Sequence, residues 1–187
     1  LGNRTGAGEI LYNAVNTDIF KPRNKTKNIF NFLITGNINK NNNYRITSVL
    51  HALKDVVNYE PSICLIIAGN IHDRNYLISK AVKLGIINNV KFLGKFKQID
   101  APKIYQMADA YITMSYQDNC PSAVIEAMSC GLPILYSASG GIPELVDKNS
   151  GIGLPVNSNW ENIKIPNRKE ISEGMITILE NKNSMSK

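Results

Sequence analysis

Three cysteines, two histidines and one tryptophan in 187 residues leave little material for several kinds of chemistry. The cysteines, Cys64, Cys120 and Cys130, are odd in number and form no Cys-x-x-Cys pair. That argues against a disulfide framework or a cysteine-based zinc site and fits a reduced, cytosolic chain. No run approaches the roughly 18 apolar residues needed to span a bilayer, and no signal peptide is visible. The net charge is +6, yet the lysines are scattered among abundant asparagines and no basic run is interleaved with aromatics, which argues against nucleic acid. The excess charge permits docking at an anionic membrane or binding of phosphorylated ligands, and equally serves solubility. The stretch Ile34-Thr35-Gly36-Asn37-Ile38-Asn39 lacks the Gly-x-Gly-x-x-Gly pattern of a dinucleotide oxidoreductase. His51 is expected to be an exposed residue without a role, and His72 and Trp160, which have no supporting context, to be packing or surface residues.

What is present is an ordinary globular composition, 43% apolar and 19% charged, in a length that fits about one domain. The chain opens on Leu1 rather than Met, as expected of an excised piece or a processed product. Apolar runs at 29–35, 63–68, 90–93, 110–114 and 132–136 read as short buried strands, several without polar alternation, as parallel strands covered on both faces require. Helix-period segments lie between them. Ile46, Val49, Leu50, Leu53 and Val56 share one face of a helix over 45–57, with His51 largely off that stripe. Further helices are expected at 75–84, stopped by Gly85, at 101–107, at 142–146, and around Ile171, Met175 and Ile178. Residues 1–8 read as a flexible lead-in, and 37–43 and 157–166 as polar loops.

The alternation predicts an α/β fold with a doubly wound, mostly parallel, Rossmann-like sheet built from right-handed βαβ units. Such sheets bind ligands at the carboxyl ends of their strands. The segment from Ser115 to Pro133 stands at one of those ends. Pro121 suits the first helical position, leaving Asp118, Asn119 or Cys120 in the preceding turn and the Ser122 and Ala123 N–H groups free to meet an anion. Glu126 lies ~7.5 Å further along the axis at 1.5 Å per residue, inside the apolar run Ser-Ala-Val-Ile-Glu-Ala-Met. A carboxylate there costs several kcal/mol, on the order of a buried-charge penalty, unless something binds it. Two vicinal hydroxyls would suit an acceptor-only carboxylate. One ligand could then reach both acids with its phosphates at the helix start; the alternative is that Glu126 is solvent-exposed and Asp118 is a turn residue.

Asp118, seven residues, Glu126 and then Ala127-Met128-Ser129-Cys130-Gly131-Leu132-Pro133 resemble family-4 retaining glycosyltransferases of the GT-B fold, whose hallmark is Glu-x7-Glu in a segment ending Glu-Ala-Met-x-x-Gly-x-Pro. The stretch Ser139-Gly140-Gly141-Ile142-Pro143-Glu144 is similar to that family's Gly-Gly-x-x-Glu segment. Tyr12 to Phe20 resembles the Asn-Gly-Val-Asp…Phe segment that opens its C-terminal domain. Leu65-Ile66-Ile67-Ala68-Gly69 and Val90-Lys91-Phe92-Leu93-Gly94 match two more landmarks. The similarity runs from about residue 10 to 156 in the family's order.

The resemblance implies a single C-terminal, donor-binding domain of a GT-B fold, with residues 1–20 a hinge and 21–187 a Rossmann-like nucleotide-sugar domain. The N-terminal acceptor domain lies outside this chain. It implies a hexosyl-type transferase that moves a sugar from a nucleotide-diphosphate sugar to a glycan or lipid-linked acceptor with retention, in surface polysaccharide or glycolipid synthesis. The place of work would be the cytoplasm or the inner face of the membrane. The isolated chain would bind but not transfer, and neither cofactor nor metal is expected. Carried over residue by residue, Asp118 and Glu126 are the catalytic pair, Glu126 on the ribose and Asp118 at the sugar hydroxyls. Asn119 and the amides of Ser122 and Ala123 attend the diphosphate or sugar, Gly94 and Lys95 border the base, and Gly36 begins the diphosphate loop. The chain departs from the family at Asp118, usually Glu, and at Asn37, where the family has Arg followed by a Lys. Arg45 and Lys40 are the candidates to supply the missing charge. Asn37 also slightly favours the alternative, a non-catalytic nucleotide-binding or regulatory module on the same fold. The Gly140-Gly141 pair reads equally as a phosphate-approach loop or a plain turn, and Glu144 as a cleft residue or a helix-start acid.

Overall fold

The computed structural model describes residues 11–23, 29–38, 46–157 and 164–181. Six strands and six helices alternate: β1 Phe30–Ile38, α1 Ile46–Tyr59, β2 Ile63–Ile71, α2 Arg74–Leu84, β3 Val90–Gly94, α3 Ala101–Tyr105, β4 Ala110–Thr113, α4 Ser122–Ser129, β5 Ile134–Ala138, α5 Ile142–Leu145, β6 Gly151–Pro155 and α6 Arg168–Glu180. All strand pairs are parallel, in the order β3-β2-β1-β4-β5-β6. The chain therefore winds outward from β1 through β2 to β3, then returns to the other side of β1 with β4. That reversal is the point where an open α/β sheet gapes at its carboxyl edge.

Side-chain alternation along the strands divides the core in two. Phe32, Ile34, Leu65, Ile67 and Ile112 face one layer, with the apolar stripes of α1 and α6. Leu33, Ile66, Tyr111, Ile134 and Tyr136 face the other, with Val124 and Ala127 of α4 and Tyr105 of α3. Phe32 through Thr35 are all buried, as the unbroken apolar run anticipates. Each fully buried aliphatic side chain contributes on the order of 2 kcal/mol, as an upper figure. Helix ends follow local chemistry. Gly85 adopts φ 74° and its N–H closes α2 on Ala81 and Val82. Asn167 and Glu170 form a reciprocal capping box at the start of α6.

Several expectations are corrected. Sequence reading gives no strand at β6, which pairs with β5 over five residues. β1 runs on to Ile38 because Asn37 and Ile38 pair with Asn70 and Ile71, so residues 37 and 38, expected as loop, are strand, and the rest of the loop expected at 37–43 lies outside the described residues. Pro121 is the residue before α4 and not its first helical one: with ψ 115° its backbone is extended. His51 is half-buried rather than exposed, and burial, then Lys80, Arg168 and Lys54, lower its pKa. Lys40, Arg45, Trp160 and the lead-in 1–8 lie outside the described residues, as does most of the loop expected at 157–166. Among the described residues no helix is long and apolar enough to cross a membrane, and all three cysteines are free.

Candidate functional site

Glycines stand near the carboxyl ends of β1 and β2 and at the end of β3, and the β1 and β2 ends form the floor of a cavity. Gly36 and Gly69 pair in register and Gly94 stands opposite Ala68, with φ of 135°, 114° and 79°. A Cβ on Gly69 would lie 2.1 Å from Gly36 O, so only glycine permits this approach. The cavity, about 430 Å³, is floored by Thr35, Gly36, Gly69 and Asn70. Lys95, Phe96 and Gln98 wall one side, and Ser122, Ala123 and Glu126 of α4 the other.

Glu126 is half-buried on the inner side of α4. Its Oε1 accepts a hydrogen bond from Gln98 Nε2 at 3.0 Å, and Tyr105 lines the same cavity. Behind Tyr105 runs a dry chain of hydroxyls: Thr35 Oγ1 is 3.3 Å from Tyr105 OH and 3.0 Å from Tyr111 OH. Burial above all, then Tyr111 and Glu126, raises the Tyr105 phenol far beyond its ordinary range despite the Thr35 hydrogen bond, so it stays a neutral donor. Burial and Glu126 likewise push the Cys130 thiol up to about 11, which keeps it protonated and unreactive at neutral pH. Gln98 thus holds the Glu126 carboxylate, which lines the cavity.

Bonding within α4 begins when Val124 N–H reaches Pro121 O at 3.0 Å, which leaves the Ser122 and Ala123 N–H groups ahead of the helix's own ladder. A helix start of this kind favours an anion. Asn13 fixes the turn before it, its amide donating to Cys120 O at 2.7 Å and to Ser122 Oγ at 3.4 Å. Phe20, nearly fully buried, packs edge-on against Tyr105 with centroids 5.9 Å apart. The opening segment 12–20 therefore braces the site from outside.

Of the expected site residues, the fold brings Gly36, Lys95, Ser122, Ala123 and Glu126 to one cavity. Gly94 ends β3 just before Lys95, and Asn37 follows Gly36 at the rim. Asp118 and Asn119 lie outside the lining, on the loop after β4. There Asp118 Oδ2 accepts from Ser115 Oγ at 3.3 Å. Gly140 and Gly141 pack on that loop: added Cβ atoms would fall 2.5 Å from Asp118 O and 1.9 Å from Asn119 O, and Gly141 N–H donates to Asp118 O. Close backbone contact explains these glycines. Glu144 lines a different cavity, of about 520 Å³, together with Tyr12, Met128 and Leu145. Gln98, Tyr105, Asn70 and Phe96 are the site residues that sequence reasoning missed; Tyr105 looks like one more apolar helix position. Among the described lining residues Lys95 is the only cation and Glu126 the only carboxylate.

A family model for glycosyl transferases group 1 matches residues 15–187. The chain is 29% identical over 107 residues to spore coat protein SA of Bacillus subtilis, covering 54% of this chain and 28% of that protein. It is 35% identical over 78 residues to a D-inositol 3-phosphate glycosyltransferase of Salinispora arenicola, covering 41% of this chain and 17% of the relative. The chain thus spans well under half the length of these curated relatives. Among solved structures it superposes on the C-terminal domain of a glycosyl transferase group 1 family protein, LpcC, from Francisella tularensis, with TM-score 0.74 at 14% identity, covering 93% of each. It also superposes on Anabaena HepE in complex with UDP and glucose, with TM-score 0.73 at 20% identity, over 95% of this chain and 49% of that one.

Proposed function

The chain belongs to the glycosyl transferases group 1 family, and from that premise we propose that it is the donor-binding domain of a retaining, family-4-like hexosyltransferase acting in surface polysaccharide or glycolipid synthesis. The observation that carries this reading is the convergence of Glu126, the α4 amide start and the Gly36–Gly69 floor on one cavity at the point where the sheet reverses. In it the ribose hydroxyls of a nucleotide-diphosphate sugar donate to Glu126, whose orientation Gln98 holds. The base lies along Phe96 and Lys95. The diphosphate meets the Ser122 and Ala123 N–H groups and the backbone at Gly36, with Lys40 and Arg45 as further candidates for its charge. Asp118 and Asn119, reached from the α4 side, face the sugar hydroxyls.

No covalent nucleophile is needed for this assignment. Rate acceleration comes from holding the donor in one geometry and from stabilising charge on the departing diphosphate. The acceptor, a glycan or a lipid-linked sugar, docks on a partner domain outside residues 1–187. The remaining length of the matched relatives leaves room for such a domain. Without it this chain binds donor and does not transfer. Work at the cytoplasmic face of a membrane accords with the net charge of +6.

A thermal-shift panel of UDP-, GDP- and ADP-sugars tests the reading. Ligand at a hundredfold excess over Kd stabilises by about 2.7 kcal/mol, which at this chain length raises Tm by roughly 5–10 °C. One nucleotide class is expected to produce that rise. Failure of every nucleotide sugar to move Tm would remove the donor-site assignment.

A further inference from the structure

Gln98 and Glu126 stand on opposite walls of the cavity, and Gln98 Nε2 donates across it to Glu126 Oε1 at 3.0 Å. An ionised carboxylate only accepts, so this bond also decides which way the Gln98 amide is turned. Its nitrogen faces Glu126. Its carbonyl oxygen is left as an acceptor on the same carbon, about 2.2 Å from that nitrogen. The two walls therefore offer two acceptors, Gln98 Oε1 and the Glu126 carboxylate, within about 5 Å of each other. Gln98 uses one of the roughly four acceptor positions of the carboxylate, so a ligand hydroxyl reaches Glu126 without displacing it.

The backbone sets this pair about one ring beyond the wall assigned to the base. Lys97 is extended, with φ −81° and ψ 150°, so Gln98 follows Phe96 by roughly 6–7 Å at about 3.3 Å per residue. The Asp100 N–H then closes a tight turn on Lys97 O at 2.9 Å, which fixes the backbone at Gln98. A nucleoside whose base lies along Phe96 brings its sugar to Gln98 and Glu126. Ribose carries two neighbouring hydroxyls, two donors for two acceptors, and 2′-deoxyribose carries one. We propose that Gln98 is a specificity-determining residue: it takes one ribose hydroxyl while Glu126 takes the other, so the site selects ribonucleoside diphosphate sugars over their 2′-deoxy counterparts. This rests on the donor-site reading above. A deoxy donor leaves one of the two acceptors without a partner in space that the ligand has closed to water.

The probe is whichever of UDP-, GDP- and ADP-glucose binds wild type, with its 2′-deoxyribose and 3′-deoxyribose forms, titrated calorimetrically into the 187-residue chain. Wild type should bind both deoxy forms more weakly, one by about threefold and the other by about tenfold or more, the scales of a neutral and a charge-assisted hydrogen bond. Gln98→Met keeps the length of the side chain and loses the amide. In it the smaller penalty should vanish and the larger should remain. Penalties in Gln98→Met equal to those of wild type would mean that Glu126 takes both hydroxyls. Penalties that shrink together would mean that Gln98 acts only by orienting Glu126. Either result overturns the shared recognition and leaves the donor reading standing, and so does wild type that binds the parent sugar and both deoxy forms equally. Absence of binding by wild type to UDP-, GDP- and ADP-glucose alike would overturn both.

Discussion

Glu126→Ala should weaken nucleotide-sugar binding at least tenfold, about 1.4 kcal/mol, with the fold intact. The fold survives because Glu126 is half-buried on a helix whose packing residues are Val124 and Ala127, and alanine is the best helix former. The affinity does not, because the carboxylate is the cavity's acceptor-only group, and hydroxyls sequestered beside it are left without a partner. Gln98→Ala gives the graded comparison. Gln98 donates to Glu126 Oε1 and is itself exposed, so its loss frees the carboxylate without removing it. A drop of about threefold is expected, the scale of one exposed hydrogen bond. Calorimetric titration of both variants, with urea unfolding alongside, separates binding from stability. Titration curves for Glu126→Ala that match wild type would take Glu126 out of the site.

How far the sequence carries depends on whether a residue's environment is local. Phe32 to Thr35 and Leu65 to Ala68 are buried on both faces of a central sheet, so their lack of alternation shows directly in the letters. β6 has the opposite character. Its glycines are required by neighbours distant in sequence: a Cβ on Gly153 would sit 2.8 Å from the Tyr136 ring, and one on Gly151 2.3 Å from Ile134 O. A strand thinned in this way has too few large apolar residues to be seen as one. The site divides likewise. Glu126, Ser122 and Ala123 lie on one helix, where 1.5 Å per residue fixes their spacing in advance. Gln98 and Asn70 reach the same cavity only because β2 and β3 end side by side, and no local pattern marks either. Tyr105 is hidden differently, since it is a core residue that also lines the cavity.

Gly69→Ala should be among the most damaging single-methyl changes at the described glycines, costing on the order of 3 kcal/mol or more. Two effects act together. The residue holds φ 114°, where L side chains are strained whatever the space. The new Cβ would also stand 2.1 Å from Gly36 O, a backbone atom that cannot swing aside. Relief requires β1 and β2 to part at their carboxyl ends, where they pair continuously from Phe30 with Ile63 to Ile38 with Ile71. The same movement opens the cavity floor and separates Asn37 from Asn70. Stability and binding should therefore fall together, unlike Glu126→Ala, which touches binding alone. Gly85→Ala is the control: its φ of 74° is also positive, but no atom lies within 4 Å of the added Cβ and the site is remote. It should cost about 1 kcal/mol and leave UDP-glucose affinity unchanged. Equal urea midpoints for the two alanine variants would mean that backbone strain alone, and not the closeness of the two strand ends, makes glycine necessary at the floor of the site.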